Sequence, residues 1–464
     1  MKNLLQFICI GIFVLETYSC KEDRFVSSSM LTPEENRAVK SKITRSIPTG
    51  MNGRSVQIDP AFIDNIGKVS PEQLVEDLKR TGVNSVHYTV AEYWDGTQND
   101  KLLRPNYLQA IKNSGIKIWL MLLGNCIYGN AIPGGDGWKM ELLDPSSIDN
   151  TTHLYSFHNK DYVDWQAERI KNILNKANKY SNIFDGIEFA ESYFPEWETI
   201  DAQSPKKRFY GDVSKSTIDQ FADKYFIPKQ NLTFETIKKN TIYYKQWVEF
   251  RSDAVINFNQ QMKKAINEAN PNIYFAAWGI GIKGGNLAGI KEYFGLDMRR
   301  IISTVNPDVF FIQTSSQDWS KDNLPSNYAI DYKYILDSIK LGNPTIPIGI
   351  QGDVVSSYHD KVTGNLDGSA VARPANWWLG FMDYTLSNGY ATATFYEYNL
   401  TKKYGFWLPS NNINLNYKIR AFKDTIISSD YINFDPQTFN IVDRKPGYWY
   451  KIQTASQYKW IKLE

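Results

Sequence analysis

The chain has 464 residues, 42% of them hydrophobic and 22% charged, which excludes wholesale disorder and is long for one ordinary domain. A formal net charge of +2, with no dense run of Lys and Arg, excludes the concentrated basic face of a nucleic-acid binder. Aromatics reach 14%, with 13 Trp and 29 Tyr, enough to fill a large core and also to offer flat faces to a ligand.

The first twenty residues read as a leader rather than as part of the fold. Lys2 gives a positive start, and the apolar run 4–15, broken only by Gln6, is too short to span a bilayer. Ser19 then precedes Cys20, and Lys21, Glu22 and Asp23 follow. This pattern resembles a bacterial lipoprotein signal, with the export signal of Bacteroidetes surface lipoproteins after it. Tyr18 is bulky and Glu16 charged for such a site. The resemblance implies lipidation at Cys20, a membrane attachment through that lipid, and an extracytoplasmic location, at the outer-membrane surface. Of the 3 Cys, Cys9 would leave with the leader and Cys20 would carry lipid. Cys126 is then alone, so no intramolecular disulfide is expected, and a buried structural thiol is preferred to a nucleophile. Residues 21–50 are polar and Ser-rich and read as a tether.

From there β-type runs alternate with helical stretches. The runs are 55–59, 85–90, 116–123, 184–189, 273–278, 309–314, 346–351 and 390–398. A helix is predicted over 71–81, with Ser70 as N-cap, Pro71 in the first turn and Gly82 beyond its end. Val163, Ala167, Ile170 and Leu174 form one helical stripe, and Val255, Phe258, Met262 and Ile266 another. Eight strands alternating with helices predict an α/β fold, a (β/α)8 barrel over 51–428. Helix-to-strand links are short, at Gly82, Gly115 and 270–272, whereas strand-to-helix loops 124–159 and 190–237 are long. A functional site is therefore expected at the carboxyl ends of the strands. The runs 448–454 and 458–463, with a Pro446-Gly447 turn, predict a small β appendage over 429–464.

The run from Asp185 to Trp197 (DGIEFAESYFPEW) carries the most chemistry. Gly186, Glu188 and Ala190 share one parity, and the bulky Ile187 and Phe189 suit the helix-facing side. Glu188 is thus expected inside the barrel near its mouth, with Glu191 opening the next loop. Two carboxyl groups flanking a glycosidic bond are what sugar cleavage needs, one as acid and one as nucleophile or base. A partner carboxyl is expected at another strand end: Glu397, between aromatics in the run 395–399, is preferred because such an acid is readily desolvated, with Asp353 after the seventh strand as runner-up. Either acid could instead cap a loop or pair with a cation. Trp94, Trp278 and Trp319, at or beyond strand ends, are candidates to stack on sugar rings, as is Tyr396. Gln313 and Gln351 could hydrogen-bond hydroxyls in both directions. Each of these, taken singly, also reads as a core or rim residue. No metal or cofactor is expected. His153 and His158 lack a ligand spacing, and neither a phosphate loop nor a Gly-x-Ser-x-Gly motif is present.

The fourth-strand run is similar to that of the uncharacterised glycosyl-hydrolase-like family 10 barrels. Leu143, Asp144 and Pro145 before a helix, the helix holding Trp247, Arg251, Val255 and Phe258, and the first strand from Arg54 extend the resemblance. It implies a carbohydrate-handling barrel. That family has paired Asp residues where this chain has Ala190 and Glu191, so the resemblance favours Glu191 over Glu188. A second resemblance is to family 18 glycoside hydrolases. On that alignment their catalytic Glu falls at Ser192, and a substrate-assisted mechanism cannot run without another acid. The reading that results is a glycoside hydrolase acting on oligo- or polysaccharide, with a non-catalytic glycan-binding lipoprotein as the alternative.

Overall fold

The computed structural model describes residues 46–462 except 97–99, 130–131, 144–151, 176–178, 195–209, 283–286, 320, 322, 354–372, 374, 404–411, 416, 446–448 and 456. The leader, Cys20, the tether up to residue 45 and the Pro446-Gly447 turn lie outside the described residues.

The eight expected runs form strands β1 (Gly53–Ile58), β2 (Ser85–Val90), β3 (Lys117–Leu123), β4 (Gly186–Ala190), β5 (Tyr274–Ile280), β6 (Val309–Gln313), β7 (Ile348–Asp353) and β8 (Thr392–Tyr396). They pair in parallel in sequence order, and β8 returns to β1 through Gly53↔Thr392, closing the barrel. Helices lie between strands as the cap chemistry predicts. The Ser70 hydroxyl accepts from Gln73 N–H and Pro71 begins the helix Pro71–Arg80. Gly82, just beyond it, sits at φ +67°, where a side chain would be strained. The two apolar stripes face inward on helices Lys160–Leu174 and Thr241–Ala269, buried except for the half-buried Ala167. Among the described residues no helix is long and apolar enough to cross a membrane.

The barrel interior is filled by aromatic rings. Trp278 of β5 stacks on Phe311 of β6 at 4.7 Å between centroids, and Trp119 of β3 meets Phe311 edge-on. Room for them comes from glycines paired with them on the neighbouring strands. A Cβ at Gly186 would stand 2.2 Å from Trp119, and one at Gly349 2.2 Å from Phe311. Large residues thus interlock with small ones across the barrel, as close packing demands.

The long loop after β4 adds helices Lys215–Tyr225 and Phe234–Lys239, which share a separate core with Trp247 and Phe250. After the barrel comes an antiparallel six-stranded sheet: β9 (Asn412–Leu415), β10 (Ile419–Phe422), β11 (Tyr431–Phe434), β12 (Gln437–Lys445), β13 (Trp449–Gln453) and β14 (Tyr458–Lys462). Their order is β9-β12-β13-β14-β10-β11. The appendage is therefore larger than the sequence suggests. It begins at Asn412 rather than near Ser429, because β10 is needed between β11 and β14.

Candidate active site

A cavity of about 440 Å³ lies at the carboxyl ends of the strands, within the range of roughly 300–1,000 Å³ usual for small-ligand sites. Every barrel strand except β5 contributes to its lining at or just past its end. Four carboxyl groups line it: Asp59 after β1, Glu92 after β2, Glu191 after β4 and Asp353 at the end of β7.

The sequence candidates divide cleanly. Glu191, Asp353, Gln313, Gln351, Trp319 and Tyr396 all line the cavity. Glu188, Glu397, Trp94 and Trp278 do not. Glu188 is fully buried one step below the mouth, as its parity requires, and both its oxygens are engaged there. One lies 2.6 Å from His87 Nδ1 and the other accepts from Trp278 Nε1–H at 2.9 Å. His87 Nε2 faces the Ser55 hydroxyl, which donates to Ala393 O. This chain of bonds ties β4 to β2, β5, β1 and β8 below the cavity. Trp278 points into the interior because it pairs in register with Phe311. Trp94 is buried edge-on against Tyr180, with Arg169 Nε donating to its carbonyl.

Glu397 is withdrawn from the cavity by the turn that follows β8. Its carboxylate accepts from Asp59 N–H, Asn399 Nδ2 and Leu400 N–H. Asn399 also donates to Asp59 O, so Glu397 and Asn399 together fasten the end of β1 to the end of β8. Burial pushes the Glu397 carboxyl up to about 7, against the three N–H donors that pull it down. The acid that Glu397 holds in place is Asp59, which the sequence reading missed along with Glu92. The rule that selected Glu191 and Asp353, an acid at a strand's carboxyl end, applies equally to both.

Asp59 accepts from Ala61 N–H at 2.9 Å, capping the turn Pro60–Phe62. Burial raises its pKa well above the usual carboxylate value, and the negative charges of Glu92 and Glu397 raise it further. Asp353 is raised well above the usual value by burial. It is 2% exposed, and its Oδ1 has no hydrogen-bond partner among the described residues. Tyr396, in register with Asp353, is held neutral by burial and by the nearby charges of Asp59, Glu397 and Asp353. The acids of β1 and β7 therefore meet around one phenol ring.

On the other side of the cavity, Glu191 has φ +54°, a left-handed conformation that costs a non-glycine residue energy and that clusters at functional sites. Packing of the β3 and β4 loops enforces it. A Cβ at Gly124 would stand 2.7 Å from Ser192 Cα, and Asn125 Nδ2 donates to Tyr193 O. Cys126 Sγ, buried as expected, lies 3.6 Å from Glu191 Oε2. Tyr193 in turn donates to Gln313 Oε1 at 2.7 Å, fixing that amide at the end of β6. Trp319 is held by a bond from its Nε1–H to Thr314 Oγ1 at 2.8 Å. No group of three His, Cys, Asp or Glu among the described residues is placed to hold a metal ion.

No family model matches the sequence, and no curated protein matches it. The fold does match solved structures. The glycoside hydrolase domain of PgaB (BpsB) from Bordetella bronchiseptica superposes with a TM-score of 0.52 at 14% identity, over 75% of this chain and 95% of that one. A β-galactosidase from the psychrophilic Marinomonas ef1 gives 0.49 at 12% identity, over 74% of this chain and 54% of that one. The chain thus shares its barrel fold with the PgaB domain.

Proposed function

We propose that the protein is a glycoside hydrolase whose acid is Asp353 and whose second carboxyl is Glu191. One observation carries the reading: a buried carboxyl, one oxygen of which has no partner among the described residues, lines the same cavity as a carboxyl on a strained backbone at the end of another strand. Asp353, kept protonated by burial, would give its proton to the leaving glycosidic oxygen. Glu191, half-buried and beside the cavity, would attack the anomeric carbon or activate water for that attack. Gln313, Gln351 and Tyr396 offer donors and acceptors to sugar hydroxyls, and Trp319 offers a ring face. The fourth-strand resemblance to the glycosyl-hydrolase-like family 10 barrels and the fold of the PgaB domain both support a glycan substrate.

The test is a screen of oligo- and polysaccharides for new reducing ends, with wild type and Glu191→Gln in parallel. The reading expects wild-type turnover reduced by about 10²–10⁴-fold in the variant, the size of one acid–base contribution. Unchanged turnover removes Glu191 from the reaction. Retention of a glycan with no turnover by either protein replaces the hydrolase with a glycan-binding protein. We also propose that the chain is lipid-anchored outside the cytoplasm through Cys20. Labelling of growing cells with a clickable palmitate should mark wild type and not Cys20→Ala.

A further inference from the structure

The appendage sheet has two unlike faces. One packs a core of Ile419, Ala421, Tyr450, Ile452 and Ile461 with their neighbours. By strand alternation the opposite face carries Arg420 and Phe422 of β10, Tyr431 and Asn433 of β11, Trp449, Lys451 and Gln453 of β13, and Tyr458, Trp460 and Lys462 of β14. These ten positions hold three cations and no acid. The whole chain, by contrast, has a net charge of only +2.

The cations are placed, not scattered. Arg420 lies over the Tyr431 ring at 4.7 Å, Lys451 over Tyr458 at 5.5 Å and Trp460 at 5.7 Å, and Lys462 over Trp449 at 5.9 Å. The pairs Ala421↔Ile461 and Phe422↔Trp460 bring Arg420 directly opposite Lys462 on the neighbouring strand. None of the three takes part in an ion pair among the described residues. Arg420 and Lys462 are exposed, and Tyr431 and Tyr458, 37% and 54% exposed, stand at the margins of the patch.

We propose that this face binds an anionic polysaccharide, a chain of uronate or sulfated sugars, at a site separate from the barrel cavity. Arg420 leans over β11 and Lys462 over β13, so successive carboxylates or sulfates along one chain can meet them in turn across the sheet. The guanidinium gives the bidentate geometry such a group prefers. The exposed Tyr rings take the C–H face of a pyranose on either side. Charge selects the occupant: three cations without an ion-pair partner among the described residues attract a polyanion and give a neutral glycan nothing to pair with.

The experiment measures binding of the full chain to polygalacturonate, to neutral dextran and to vesicles containing phosphatidylglycerol, at low and at physiological salt. Polygalacturonate should bind in a salt-sensitive way and dextran should not bind at this site. The charge reversal Arg420→Glu with Lys462→Glu should weaken polygalacturonate binding at least tenfold. The neutral pair Arg420→Gln with Lys462→Gln gives the same reading if the reversal fails to fold, and Lys462→Arg should bind like wild type. Both double variants lie outside the cavity lining, so a loss of polygalacturonate binding in them assigns the site to the sheet and separates it from the proposed hydrolase. Absence of polygalacturonate binding at low salt, or binding indifferent to both double variants, overturns the proposal. Tighter binding to the vesicles than to the polyuronate, lost in the same variants, overturns it in favour of a lipid surface.

Discussion

Glu188 and Asp353 are both carboxyl groups enclosed by the same barrel, on strands three places apart, and they are enclosed in opposite ways. Glu188 has a partner for each oxygen, and those partners are themselves bonded, so the cluster ties five strands together below the cavity. Asp353 is desolvated, its Oδ1 has no partner among the described residues, and the residue lines the cavity. An unmade buried hydrogen bond is a standing cost of roughly 1–3 kcal/mol. A satisfied acid holds a fold together; an unsatisfied one at a cavity wall is available to a ligand. Burial alone does not tell the two apart, since both are nearly inaccessible.

Substitutions should separate them. Asp353→Asn keeps shape and removes an acid, so hydrolysis should fall by about 10²–10⁴-fold, while the urea midpoint stays level or rises. Loss of stability with activity intact would reverse the assignment. Glu188→Ala should do the opposite, leaving His87 and Trp278 without their acceptor and costing about 3–5 kcal/mol in urea unfolding, the penalty for breaking a buried pair. A variant as stable as wild type would show that the cluster is dispensable.

The raised acids sharpen the comparison through pH. Glu397 keeps its proton in the fold up to about 7, whereas the unfolded chain releases it near 4.5. The stability it contributes is complete below the lower value and is lost as pH rises through the upper one. Asp59 and Asp353 act in the same direction from 3.8. The urea midpoint should therefore be lower at about pH 7.5 than at about pH 5, and the drop should be smaller in Asp353→Asn. A midpoint that rises across this range would show these acids to be ionised in the fold. The smallest effect is expected at the ring wall. Trp319→Ala should raise KM with kcat little changed, by the roughly 0.5–1.5 kcal/mol an aromatic contact contributes. A loss confined to kcat would give Trp319 a part in the chemistry instead.

Much of the barrel was legible because its signals are local. Ser70, Pro71 and Gly82 bracket a helix by cap chemistry, and the alternation Ile187, Glu188, Phe189 sets which side of β4 faces inward. That same alternation placed Glu188 inside but could not say that His87 and Trp278 would claim it, since both come from other strands. Glu397 was the preferred second acid for its aromatic neighbours. The turn after β8 aims it at the backbone of Asp59 instead, a contact across 338 positions of sequence. The appendage was read short because β10, alone in sequence, acquires its meaning only from β11 and β14 beside it.

The stacked rings of Trp119, Trp278 and Phe311 have a consequence for traffic. They stopper the cylinder, so nothing can thread it from end to end. Under the proposed hydrolysis, whatever is cut must back out through the doorway by which it arrived, and a spent fragment lingering there blocks the next arrival. Turnover of a long chain should accordingly slow as short fragments accumulate in solution.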